Sequence, residues 1–243
     1  MSDGTSQDHR AAGLSVVSSV SIISQNLKEI KKTIQLHSPN PQGVKILGVS
    51  KFQPVESIRE AVELGVTLLG VNYVQEGQKL REVMTHSDIE WHFIGHIQSR
   101  KAKHLLDYHC VESLDRTDIA EDLNRRAEIL NKPLQVLIEV NIGREPQKSG
   151  VLLEDLEGFL KKIEALTFIS VKGLMSMPPP LPLEKRRPFF KELKRAYDRL
   201  SQRYSFDTLS MGTSEDYQIA LEEGASLIRL GTCLLGARPP KSH

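Results

Sequence analysis

The sequence is poor in cysteine, with only Cys110 and Cys233 among its 243 residues. Two thiols so far apart form neither a disulfide scaffold nor a paired-cysteine metal motif. Both stand in apolar surroundings, which predicts buried, unreactive side chains. Neither sign of charge is in excess: 32 Lys and Arg stand against 31 Asp and Glu, a net charge of +1. Nothing in that balance marks a nucleic-acid surface, and nothing marks acidic disorder. No apolar run approaches the roughly 18 residues of a membrane span. The opening MSDGTSQDHR lacks the basic-then-apolar order of a secretory leader. These absences point to the cytoplasm and away from membrane and nucleic-acid partners. None of the eight histidines falls in an HExxH-like spacing, so no metal site is expected.

What is present is ordinary globular composition, 39% hydrophobic and 26% charged. Residues 1–11 read as a polar, disordered tail and 12–243 as one domain. Val16, Val20, Ile23, Leu27, Ile30 and Ile34 recur at spacings of four and three, one face of a helix packed on a core. A coiled-coil seam is the alternative, but it would span only about three heptads. HSPNPQG then stops the helix. Beyond it VKILGVSK, TLLGVN, WHFIG, CVESL, LQVLIEVN, FISVKGLMSM, TLSMG and SLIRLGTCLLG read as strands. Helical patterns separate them: after Pro54, from about Gln75, near Ser99 to Leu106, over Arg116 to Leu130, from about Glu154, near Pro188 to Arg203, and over Ser214 to Glu222. Such alternation implies right-handed βαβ units and a parallel sheet. Eight units favour an α/β fold closed as a single (β/α)8 TIM barrel, with the extra N-terminal helix covering the ring position after strand eight. An open doubly wound sheet competes, but its GxGxxG after the first strand is missing.

A barrel carries its chemistry at the C-terminal ends of its strands. Lys51 ends the first strand, and Leu47, Val49 and Lys51 share one face. If that face is the interior, the amine is partly desolvated and suited to forming a Schiff base with a carbonyl; otherwise it snorkels to water. Arg229 interrupts an apolar strand. It reads either as half of a structural ion pair, with Glu139 one candidate, or as a fixed cation for an anion or heteroaromatic nitrogen. SMGTSED and GTCLLG follow strands seven and eight, the frequent phosphate site of barrels. Ser214 before Glu215 and Asp216 reads as a helix cap whose N–H groups can meet an anion, and Gly231 and Thr232 add an N–H and a hydroxyl. The competing reading is plain turn and capping chemistry. Asn72, His92, Asn141, Lys148 and Met175 also fall at or near strand ends, each alone being more often structural. His92 reads as a satisfied core histidine.

The sequence resembles the pyridoxal phosphate homeostasis protein family. The resemblance rests on VSKFQP, NYVQE, WHFIGHIQ, EVNIGREPQKSG, GLMSMPP, LSMG and RLGTCLLGAR, in order from Val49 to Arg238. It implies a barrel similar to that of the alanine racemase N-terminal domain, without that enzyme's second domain, and pyridoxal 5′-phosphate as cofactor. It implies an imine on Lys51, Asn72 and Met175 in the pocket, and Arg229 facing the pyridine nitrogen. Ser210, Gly212, Ser214, Gly231 and Thr232 would hold the phosphate. Three positions depart from the pattern: Val71 where Glu is usual, Thr213 where Met is usual, and Arg100 where Asn is common.

The expected function is a carrier that buffers pyridoxal phosphate, maintains vitamin B6 homeostasis and hands the cofactor to apo-enzymes. No catalytic residue is assigned, and the chain is expected to be a monomer. A cofactor-dependent amino-acid racemase is the alternative, and a Schiff-base aldolase acting on a sugar phosphate is third. Arginine is effectively never a proton donor, so Arg229 would leave the ring nitrogen unprotonated and the electron sink weak. A racemase also needs acid–base groups on both substrate faces. Alanine racemase takes its second from a tyrosine of the other domain. Here Tyr73 is the only tyrosine near in sequence, and its parity is opposite to that of Asn72.

Overall fold

The computed structural model describes residues 21–85 and 88–238. Eight parallel strands close into a barrel, each bonded to the next and the last to the first. They are β1 (Lys45–Val49), β2 (Leu68–Val71), β3 (Glu90–Phe93), β4 (Cys110–Leu114), β5 (Leu134–Val140), β6 (Ile169–Ser176), β7 (Thr208–Ser210) and β8 (Leu227–Leu230). Every residue of β4 and of β8 is buried, Glu112, Ser113 and Arg229 included. The helices outside the barrel are α1 (Ile22–His37), α2 (Val55–Glu63), α3 (Val74–Val83), α4 (Thr117–Ile129), α5 (Leu156–Ile163), α6 (Leu183–Ser201), α7 (Tyr217–Glu222) and α8 (Thr232–Leu235).

The (β/α)8 expectation therefore holds, and α1 takes the ring position foreseen for it. Ser21 caps α1 by accepting from the Ser24 N–H at 3.1 Å. Ile23, Leu27, Ile30 and Ile34 are buried, and the helix packs on α2, α7 and α8. Asn26 Nδ2 donates to the Leu234 carbonyl at 3.1 Å, tying α1 to the single turn of α8. Burying four such side chains contributes roughly 6–12 kcal/mol before ordering entropy is set against it. Val16, Val20 and the tail expected over 1–11 lie outside the described residues.

Two local expectations are corrected, at the last strand and at the helix from Ser214, and the helix expected near Ser99 to Leu106 is present with 3₁₀ geometry. The last strand stops at Leu230 rather than running to Gly236, and Thr232–Leu235 is a helical turn. Gly231 turns the chain (φ −104°, ψ −95°), and the Ser214 hydroxyl then holds the new turn from outside. The segment Ser99–Asp107 is a 3₁₀ helix. Its buried Ala102 and Leu105 are three apart, the spacing that a 3₁₀ helix stacks on one side. The helix expected from Ser214 begins only at Tyr217, because a turn over 213–216 precedes it.

Two apolar regions result. The larger fills the space between barrel and helices. The smaller, Cys110, Leu137 and Met175 on β4, β5 and β6, is separate from it. Burial pushes the Cys110 thiol well up, so this cysteine is the inert group expected; half-buried Cys233 is shifted in the same direction.

Candidate functional site

A cavity of about 680 Å³ opens among the residues that follow the strands. Lys51, Asn72, Met175, Ser214, Arg229, Gly231 and Thr232 all line it. Strands as far apart in sequence as β1 and β8 are neighbours once the barrel closes, and this brings Lys51 and Arg229 to one mouth. The Lys51 amine lies 5.2 Å from the centre of the Phe52 ring and 5.4 Å from that of Tyr73. Phe52 holds a left-handed backbone (φ 61°), and its ring is half exposed beside the amine. Tyr73 thus stands next to Lys51, although its parity gave no such sign. Asn72 Oδ1 is buried and accepts from nothing within the described chain. It is an acceptor awaiting a donor. Gly95 is required beneath it, since a Cβ there would lie 2.0 Å from the Asn72 carbonyl oxygen.

Arg229 is fixed from below. Its Nη1 donates to Ser210 Oγ at 2.6 Å and its Nη2 to the Ser176 carbonyl at 2.9 Å. Ser210 Oγ donates in turn to Glu112 Oε2 at 2.6 Å, and His92 Nδ1 meets Glu112 Oε1 at 2.7 Å. Of these, the Arg229–Ser176 and Ser210–Glu112 bonds join β8 to β6 and β7 to β4, pairs of strands that are not adjacent, so they cross the barrel interior. Burial works to raise the Glu112 pKa, but His92, Arg229 and Ser210 outweigh it and hold the carboxyl below its ordinary range. Glu112 is therefore an ionised acceptor, and His92 Nδ1 is the donor to it. His92 is the satisfied core histidine expected. Glu112 was not singled out by the sequence reading, although a glutamate inside CVESL is the same kind of signal as Arg229 inside its strand.

The two loops after β7 and β8 are stitched together by Ser214. Its Oγ accepts from the Gly231 N–H at 3.1 Å and the Cys233 N–H at 3.3 Å. Ser214 thus caps the turn of α8, not the helix that follows it in sequence. Among the described residues, the N–H groups of Ser214, Glu215 and Thr232 have no protein acceptor. All three residues line the cavity, a geometry suited to an anion. Ser210 and Gly212 are not in its wall. The Ser210 hydroxyl is fully buried and engaged by Arg229 and Glu112. Gly212 (φ +93°) also serves packing. A Cβ there would sit 2.6 Å from Ala220 Cβ, so glycine lets α7 approach.

Charge in the cavity is mostly paired. Lys148 bonds Glu145 at 2.5 Å, and Arg186 bonds Glu215 and Asp216 at 3.0 and 2.9 Å. Lys51, Arg229, Arg238 and Glu139 remain without an ion pair among the described residues. The Glu139–Arg229 pair considered from sequence does not form within 4.0 Å; the Ser210 hydroxyl and the Ser176 backbone carbonyl hold the guanidinium instead. Burial, helped by the nearby Asp115 charge, pushes the Glu139 carboxyl up to about 7, against the pull of Arg229 and Lys148. Asn141 is structural: its side-chain amide closes the loop after β5 through Glu145 and Lys148. Of the departures, Val71 is core, Arg100 is exposed, and Thr213 bonds Asp216 through both its N–H and its hydroxyl.

Residues 19–239 match the family model described as alanine racemase, N-terminal domain. The pyridoxal phosphate homeostasis protein of Aquifex aeolicus (strain VF5) is 40% identical over 220 residues, 89% of this chain and 96% of that one. That of Escherichia coli (strain K12) is 35% identical over 227 residues, 89% of this chain and 97% of that one. Among solved structures, PipY of Synechococcus elongatus PCC7942 with PLP bound superposes with a TM-score of 0.78 at 30% identity, covering 88% of this chain and 100% of PipY. Alanine racemase of Corynebacterium glutamicum shares the fold, with a TM-score of 0.68 at 17% identity over 90% of this chain and 61% of the racemase. With its closed barrel and its mouth lined by Lys51 and Arg229, the chain belongs to the pyridoxal phosphate homeostasis protein family.

Proposed function

We propose that the protein is a cytoplasmic, monomeric carrier and buffer of pyridoxal 5′-phosphate, which it yields to apo-enzymes. The observation that carries this is the sharing of one cavity by an amine, a fixed cation and uncommitted backbone N–H groups. The cofactor supplies an aldehyde that condenses reversibly with an amine, with loss of water. The Lys51 amine is the anchor for that bond, a Schiff base. Ser214, Glu215 and Thr232 offer N–H groups to the phosphate, with the Thr232 hydroxyl beside them. Arg229 presents the guanidinium edge left free by Ser210 and Ser176 to the ring nitrogen. Asn72 Oδ1 accepts from a ring hydroxyl, and Met175 packs against the ring. Ser210 and Gly212 support this reading from behind the wall.

Holding is favoured over turnover because Arg229 is a donor only, which leaves the ring nitrogen unprotonated. Tyr73 stands beside Lys51 and outside the cavity wall, so it does not supply an acid–base group across from the amine. One observation favours the amino-acid enzyme instead: Glu139 is a carboxyl in the cavity wall with a pKa of about 7. The test is the visible absorption of the protein with pyridoxal phosphate, before and after borohydride, beside Lys51→Ala. A yellow band that borohydride bleaches, absent in the variant, is the expected result. An adduct kept at its original site in Lys51→Ala refutes the anchor, and saturable racemisation above the rate of the free cofactor refutes the carrier.

A further inference from the structure

We propose that Glu112 is a positioning residue for Arg229, acting through Ser210, and that it makes the site selective for a ring whose nitrogen accepts a hydrogen bond. The inference rests on the pyridoxal phosphate reading above and gives a role to residues that do not touch the ligand.

The direction of the bonds carries it. Glu112 is ionised and can only accept, so the single Ser210 proton must point at Glu112 Oε2. A lone pair of Ser210 is then left to face Arg229 Nη1, at 2.6 Å. The His92 ring occupies the other carboxylate oxygen at 2.7 Å, so Glu112 cannot swing away from Ser210. Arg229 Nη2 is held separately by the Ser176 carbonyl. The guanidinium is thereby clamped at two nitrogens, and because Arg229 lines the cavity, the N–H groups not spent on Ser210 and Ser176 are the ones left for a ligand there.

All of these side chains are buried, and Glu112 is completely so. A buried ion is costly to maintain and is weak evidence of stabilisation by itself. Here Glu112 and Arg229 do not touch directly; a hydroxyl relays between them. That arrangement fixes orientation, because a serine has one proton and one way to satisfy both neighbours. A clamped edge that only donates favours an acceptor in the ring and disfavours a C–H at the same place.

The test compares pyridoxal phosphate with its benzene-ring analogue, which keeps the aldehyde, hydroxyl and phosphate ester but has C–H for the ring nitrogen. Affinities for both are measured on the full chain and on Ser210→Ala and Glu112→Gln. The unaltered protein should prefer the pyridine ligand by about tenfold or more, the range of a hydrogen bond to a charged group. In Ser210→Ala the ratio should fall to about twofold or less. General structural damage weakens both ligands together and leaves the ratio in place. Should Glu112→Gln fail to fold, Ser210→Ala decides alone, since it removes one oxygen and no charge. A preference kept in Ser210→Ala overturns the inference while the carrier reading stands. Failure of the unaltered protein to bind either ligand overturns that reading and this inference with it.

Discussion

Glu139→Gln is the most informative single change, because its effect is expected to have an unusual sign. Most carboxylates that matter to a fold are stabilised as anions, and their proteins lose stability on acidification. Glu139 is the reverse. Its ordinary value is 4.5, and the fold holds it at about 7. Between those limits the unfolded chain has released the proton while the native chain still holds it. Stability from this group is therefore fully present below 4.5 and is lost as pH rises to 7. The size follows from the interval: with 1.36 kcal/mol per pH unit, ionisation of Glu139 costs about 3 kcal/mol by pH 8. Glutamine keeps the shape and never ionises. At pH 5 the variant should match the unaltered protein to within about 1 kcal/mol; at pH 8 it should be more stable by about 2–3 kcal/mol, or roughly 5–10 °C in Tm. The assay is urea unfolding at each pH, read as the difference between the two proteins. That difference cancels ionised pairs such as Asp122 with Arg126, whose pH dependence has the opposite sign. A difference that stays flat from pH 5 to 8, or grows towards acid, refutes the placement of this carboxyl as a neutral group in the cavity wall.

The same group should couple to ligand. An anionic ligand favours the protonated carboxyl, so affinity for pyridoxal phosphate should fall as pH rises through 7, and a calorimetric titration should show proton uptake that Glu139→Gln abolishes. Ser214→Ala removes the acceptor of two N–H groups at the start of α8. It should cost about 1 kcal/mol in denaturant unfolding and weaken competition by inorganic phosphate; unchanged phosphate affinity counts against the anion site. Gly95→Ala would press a Cβ onto the Asn72 backbone, and should lower stability by about 1–3 kcal/mol and reduce cofactor affinity together. A stable, fully binding Gly95→Ala protein would show that Asn72 is not held by this contact.

The barrel was legible because its signals are one-dimensional: apolar runs of strand length, helical spacing between them, and eight repeats of the pair. Lys51 and Arg229 were legible for a related reason, since a charge at or in an apolar strand stands out wherever the partner lies. The identity of the partner did not follow. Whether Arg229 meets Glu139, Ser210 or Ser176 depends on which strands face one another across the barrel, and strand register carries that, not local pattern. The serines show the limit most clearly. Ser214 looked like a cap for the helix after it and instead caps the turn after β8, seventeen residues on. Ser210, two residues before the tight turn at Gly212, looked like a phosphate ligand by its company in the motif. Its burial turns the hydroxyl inwards, where it donates to Glu112. A short polar side chain serves whatever lies within 3 Å of it, and only closure of the barrel decides what that is. Glu112 carried the same local signal as Arg229, and only its place in the closed barrel gives it a role. Each is a charge inside an apolar strand, but Arg229 lies in the cavity wall, whereas Glu112 is outside that wall, bonded to Ser210 and His92 and within the field of Arg229.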